Sequence, residues 1–267
     1  MKTELTPEQI QTYRDQGYVV IEDFLTPQEL EHWRTTTEDA IRMRLEASAT
    51  DATIMNNQRD PDAFYAQVFT QCLRLADIHP EMAELMFDED LGRVVGTLAG
   101  VDGIRIWHDQ ALFKKPYGNF TGFHMDNPFW SFHSPDALSI WVALDDATVE
   151  NGCLYYFPGT HKEATFESVG IESNLGSIFK QYPQWRERPA VAAPAKAGSA
   201  VFHNGLIAHG AGANMTNKPR RAMTCAYMPD GSTFNGQQNI LPDEYFKTLK
   251  IGDVLNNNEQ NRLIWHK

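Results

Sequence analysis

The change of texture at Gly100 restricts the fold more than any other feature of this chain. Before it, the sequence reads mainly as helix. After it, from Ile104 to Met228, Gly, Pro and Asn break the chain into short apolar and aromatic runs. These are Ile104–Trp107 continuing through Ala111–Phe113, Ala137–Leu144, Cys153–Phe157 after the Asn151-Gly152 turn, Gly198–His203 and Arg221–Tyr227. No helical segments alternate with them. Strands so arranged pair antiparallel, as a barrel or jelly roll, and not as a parallel α/β sheet.

The first hundred residues carry clear helix signals. Thr6-Pro7-Glu8-Gln9 is a capping box with proline at the first helical position, and Gly17 ends that helix. Tyr18–Ile21 reads as a short strand. Thr26-Pro27-Gln28-Glu29 repeats the cap and predicts a helix to about Ala47. Asp51–Asp62 is polar and reads as a loop. Two further helices are expected near Ala63–Ile78 and Pro80–Leu98. The expectation is one domain over 1–267: a helical layer to about 100, a β core over 101–230, and a C-terminal extension over 231–267.

Composition removes several function classes. Lys and Arg total 23 and Asp and Glu 35, a formal charge of −12 among 267 residues. Nucleic-acid binding needs clustered cations to neutralise phosphates, and anionic lipid surfaces need the same. Neither partner is expected; a small molecule is, and oligomeric state is not legible. The three cysteines, Cys72, Cys153 and Cys225, are too few and too widely spaced for a disulfide framework or a zinc pattern. With no signal-peptide core and no long apolar run, the expected location is the cytoplasm.

The residues with most chemistry are His124-Met125-Asp126. In extended chain, positions i and i+2 share a face, so imidazole and carboxylate converge. A third ligand would complete a 2-His-1-carboxylate triad, which leaves open positions on Fe(II). The motif alone is weak, since 9 His and 35 acidic residues give about one such pair by chance. Indeed His161-Lys162-Glu163 is another, but it follows the turn Pro158-Gly159-Thr160. In His108-Asp109 the two side chains face opposite ways. His209, between an apolar run and the Gly-rich Gly210-Ala211-Gly212, can reach a metal from another strand. Arg220 and Arg221 begin a strand shortly after. A guanidinium inside a barrel needs a carboxylate partner, which a dicarboxylate co-substrate supplies.

In this order, His124-Met125-Asp126, His209 and Arg220 resemble the phytanoyl-CoA dioxygenase family of Fe(II)/2-oxoglutarate oxygenases. Further matching stretches are Asp15–Leu25, Trp141–Asp146, Asn151–Leu154 running into Pro158–Lys162, and His209–Asn214 leading to Pro219–Ala222. The resemblance covers about residues 6–228. It implies a double-stranded β-helix with Fe(II) held by His124, Asp126 and His209. It also implies 2-oxoglutarate and O2 as co-substrates, with Arg220 on the distal carboxylate. Trp141 would line that pocket, and Thr121 and Gln110 would touch the co-substrate. Two positions depart from the namesake enzyme: Ala211 replaces a serine, and Gln67 replaces a lysine, so acyl-CoA specificity does not carry over. Asp126 stands where related halogenases have a small residue, which favours oxygen transfer.

The implied activity is hydroxylation of an unactivated C–H bond of a small organic substrate, with release of succinate and CO2. Desaturation, cyclisation or epimerisation would use the same iron site. A non-catalytic sensor binding metal or 2-oxoglutarate is the reading from another class. Phe123, Phe129, Trp130 and Phe132 are candidates to line an apolar pocket. Residues 160–190 are expected to form a lid over it.

Overall fold

The computed structural model describes residues 1–48, 64–171 and 173–267. The loop expected at Asp51–Asp62 lies outside them. Helix α1 (Pro7–Gln16) has its capping box and ends at Gly17 with φ 83°. It leads into β1 (Tyr18–Ile21), and α2 (Pro27–Ser48) follows.

Over its described residues, 64–78, the helix expected at Ala63–Ile78 does not form. These residues hold a 3-10 turn at Phe64–Gln67, strand β2 (Thr70–Leu73) and a second 3-10 turn at Leu75–Asp77. Cross-strand pairing overrode the local helix-forming composition here. The expected second helix is two: α3 (Pro80–Met86) and α4 (Glu89–Ala99). Asp88 separates them, because its side chain accepts from the Leu91 N–H and caps α4.

The remaining strands are β3 (Gly103–Phe113), β4 (Thr121–His124), β5 (Leu138–Ala143), β6 (Leu154–Tyr156), β7 (Val191–Ala193), β8 (Ala200–Asn204), β9 (His209–Ala211), β10 (Ala222–Pro229) and β11 (Leu263–His266). They form two antiparallel sheets. The larger runs β1-β8-β5-β10-β3-β11, with β2 also on β3; the smaller runs β4-β9-β6-β7. This is a jelly roll with a helical jacket.

The larger sheet is covered on both faces at its centre, so β5 and β8 are buried throughout and β10 nearly so. On β5, Leu138, Ile140 and Val142 pack with Trp33 of α2 and Val95 of α4. The alternate residues Trp141 and Ala143 pack with Leu154 and Ala211 of the smaller sheet. Hence all six residues of β5 are buried, and its sequence shows no polar alternation. Within the C-terminal extension, β11 joins the edge of the larger sheet on β3. Gly92 and Gly96 let Trp265 of β11 lie against α4, since a Cβ on Gly92 would stand 2.7 Å from the Trp265 Cβ.

One irregularity aims the site. Opposite β10, Tyr227 pairs with Ile106 and Ala226 with His108, so Trp107 is an extra residue on β3. A bulge reverses which face the following residues occupy. Ile104 and Ile106 pack under the helices, whereas His108, Gln110 and Leu112 face the interior between the sheets.

Candidate metal centre

Between the sheets lies a cavity of about 200 Å³. His124, Asp126 and His209 stand together at its wall, with one possible ligand atom from each within 4.8 Å of the others. His124 and His209 are direct cross-strand partners of β4 and β9, which sets their rings 4.4 Å apart. Asp126 arrives differently from the pleat argument. Strand β4 ends at His124, and Asp126 is helical (φ −79°, ψ −50°) at the start of the 3-10 turn Asn127–Phe129. The turn, not a shared strand face, swings the carboxylate inward. Its Oδ1 is 3.5 Å from His124 Nε2 and 3.8 Å from His209 Nε2.

Both imidazoles are oriented for metal. His124 Nδ1 donates to the Gly122 carbonyl at 2.8 Å, and His209 Nδ1 to the Ile207 carbonyl at 3.1 Å. The Nε2 lone pairs therefore point into the cavity, the arrangement that backbone acceptors commonly impose on ligating histidines. Burial, and next the neighbouring His124, push His209 down to about 3. Burial alone would raise Asp126, but His209, His124 and His203 around it hold it well below the usual carboxylate range. A neutral histidine and an ionised carboxylate are the forms a divalent cation needs.

Across the cavity, Arg220 is only 2% exposed. Its guanidinium lies 5.0 Å over the Trp141 ring, and Nη1 makes a long 3.4 Å bond to the Leu112 carbonyl. Among the described residues its Nε has no partner. Burial pushes it down to about 10. Thr121 Oγ1 is likewise buried without a partner. These orphaned donors fit a bound carboxylate. Arg221, one residue on, faces out and pairs with Asp145 and Glu38. Gln110 lines the cavity and accepts from Gln71 Nε2 at 2.6 Å.

The other acidic pairs stay apart. Glu163 binds Arg188 and the Trp185 indole, away from the cavity. Asp109 accepts from the N–H groups of Leu75 and Ala76, while His108 borders the cavity. Of the four aromatics, Phe129 and Trp130 line the cavity. Phe123 packs on Phe157 and Phe132 on Trp107. The 160–190 segment sends only Ile171 to the cavity among its described residues. Asn239 and Ile240 of the C-terminal extension also line it, and Arg74 holds that segment through the Ile240 carbonyl. The cover is thus shared between the two segments, with Arg74 tying the C-terminal one to the β2–α3 connection.

Two cavity-side residues, His203 and Ser139, were missed from the sequence. A period-2 reading of β8 would have found His203, since it shares a face with the interior residue Val201.

Lys114 is fully buried beside Arg220, with Nζ donating to the Asn119 carbonyl at 2.6 Å. Burial, then the Arg220 charge, push it down to about 6. An unfolded lysine titrates near about 10.4, so between these values the unfolded chain binds more protons and stability rises with pH. Lys114→Met is expected to flatten that rise. In urea unfolding, the variant should gain at least about 1.4 kcal/mol less than the native protein between about pH 7 and 9.

The sequence model of the phytanoyl-CoA dioxygenase family matches residues 13–222. The chain belongs to the phytanoyl-CoA dioxygenase family. Dioxygenase lolE1 of Epichloe uncinata is 30% identical over 173 residues, 65% of this chain and 62% of that protein, less than two thirds of its length. Phytanoyl-CoA dioxygenase of Arabidopsis thaliana is 25% identical over 82% of this chain and 87% of its own. Among solved structures, the non-heme alpha-ketoglutarate-dependent carbocyclase SnoK from nogalamycin biosynthesis superposes with a TM-score of 0.77. It is 27% identical, over 97% of this chain and 96% of that one. The family's iron and 2-oxoglutarate fit the donors present: two oriented imidazoles, an ionised carboxylate and an unneutralised buried arginine. No helix among the described residues is long and apolar enough to cross a membrane.

Proposed function

We propose that this chain is an Fe(II)/2-oxoglutarate-dependent dioxygenase that hydroxylates an unactivated C–H bond of a small organic molecule, releasing succinate and CO2. One observation carries the reading. Three metal donors within 4.8 Å of one another share a cavity with a buried arginine that meets no carboxylate among the described residues.

In this reading His124, Asp126 and His209 hold the iron. Bound there, the metal supplies the oxidising chemistry together with 2-oxoglutarate and O2. The rest is the chain's work. Arg220 binds the distal carboxylate of 2-oxoglutarate, and Trp141 braces the guanidinium plane. Thr121 offers its unpartnered hydroxyl to the same molecule; Ala211, which has none, cannot assist. Gln110, fixed by Gln71, borders it. Phe129, Trp130 and Ile240 shape an apolar wall that excludes water, while His108 and Asn239 add polar, uncharged contacts. Arg220 apart, no lysine or arginine lines the cavity among the described residues. Lys114, behind Arg220, is held by the Asn119 carbonyl, and Lys115 reaches the Ala66 carbonyl. That lining favours a small, largely apolar substrate over a coenzyme A thioester.

With Fe(II), 2-oxoglutarate and air, the purified protein should form succinate well above a metal-chelated control, read by chromatography. Binding of 2-oxoglutarate without any succinate would favour the sensor reading instead. Ring closure is the second reading, supported by the similarity to the carbocyclase over nearly the whole chain. Product mass separates them, since hydroxylation adds an oxygen atom and ring closure removes two hydrogens.

A further inference from the structure

Asp126 has two carboxylate oxygens, and the fold treats them differently. Oδ1 faces His124 and His209 from the smaller sheet. Oδ2 is held from the larger sheet, by Ser139 Oγ at 3.3 Å and by His203 Nε2 at 3.3 Å. Ser139 and His203 are cross-strand partners on β5 and β8, so one ladder position presents both donors. Both are buried, at 5% and 3% exposure.

The tautomer of His203 follows from its partners. An ionised carboxylate only accepts, so Nε2 carries the proton. Nδ1 then accepts from the Tyr156 hydroxyl at 3.0 Å. Tyr156 is fully buried and stacked on Tyr18, which fixes the hydroxyl in place.

We propose that His203 and Ser139 are positioning residues that occupy Oδ2, so that Asp126 meets the metal through Oδ1 alone. The inference rests on the iron/2-oxoglutarate reading above. Its consequence is a count of coordination positions. A facial triad of single donors leaves three places on an octahedral metal. Bidentate 2-oxoglutarate takes two and leaves one for O2. A chelating Asp126 would fill that last place. Specificity for the open position would then come from two residues that never touch the metal.

The test uses nitric oxide as a probe of the last position. Native protein loaded anaerobically with Fe(II) and 2-oxoglutarate should show its visible charge-transfer band and take up nitric oxide, giving a half-integer-spin EPR signal. Ser139→Ala combined with His203→Leu should keep the band, while the nitric oxide signal falls at least about tenfold, the lower end of the effect of outer-shell partners. His203→Gln retains an N–H at a similar reach and should recover most of the signal, with Ser139→Ala intermediate. Native-like nitric oxide uptake in the double variant overturns the proposal. So does loss of the band itself, which would mean these residues hold the site together and do not select the oxygen. Failure of His203→Gln to recover would also overturn it, because packing and not the donor would then matter. If the native protein shows no band, the iron/2-oxoglutarate reading fails first.

Discussion

His209→Ala is expected to bind Co(II), a spectroscopic stand-in for Fe(II), more than about 100-fold more weakly, beyond the loss caused by an outer-shell change. Succinate formation should fall to the level of the metal-chelated control. The argument is geometric. His209 is 5% exposed, its ring is locked by the Ile207 carbonyl, and it is the cross-strand partner of His124. Removing it leaves two donors, one on a strand and one on a turn, with no third side from which to close on a cation. The fold should survive. The lost ring costs packing against Tyr156 and His203, on the order of 1–3 kcal/mol for a buried truncation of this size. A metal-free thermal melt separates the two effects. Native-like Co(II) affinity in a folded His209→Ala protein would remove this residue from the ligand set.

The sequence made parts of this arrangement legible for identifiable reasons. The capping boxes at Thr6 and Thr26 are local signals, and they marked α1 and α2 because nothing distant competes with them. Strand β2 was hidden because Thr70–Leu73 pairs with residues some forty positions away, and local composition does not carry such pairing. The bulge at Trp107 was also hidden. A one-residue change of register leaves no composition signal, yet it decides that His108 and Gln110 face the cavity. His124, Asp126 and His209 could be singled out from residue type and order. How Asp126 reaches the others could not, since it depends on a turn stabilised by the Asn127–Phe129 backbone and by the Gly205 carbonyl. His203 was passed over because a histidine in an apolar strand looks like ordinary core. Its meaning appears only when β5 and β8 are placed side by side.

Arg220→Met should separate stability from function most sharply. In the protein without ligands, Arg220 is a buried cation facing Lys114, with no carboxylate in contact among the described residues. Replacing an uncompensated buried charge by an apolar side chain of similar length is neutral or stabilising. The ligand-free variant is therefore expected to melt no lower than the native protein. Binding of 2-oxoglutarate should move the other way. Truncating one partner of a buried, hydrogen-bonded charge pair costs about 2–5 kcal/mol, or roughly 30-fold to several-thousand-fold in affinity. The native melting point should rise with added 2-oxoglutarate in the presence of metal, and the variant's should not. Arg220→Lys should not rescue, because a point charge cannot reproduce the fork that sits over the Trp141 ring. The result that sinks this role is a variant that still gains thermal stability from 2-oxoglutarate at native concentrations. If the role holds, the fold tolerates a strained electrostatic site when empty. In a chain of net charge −12, that site supplies the positive island a dianionic co-substrate requires.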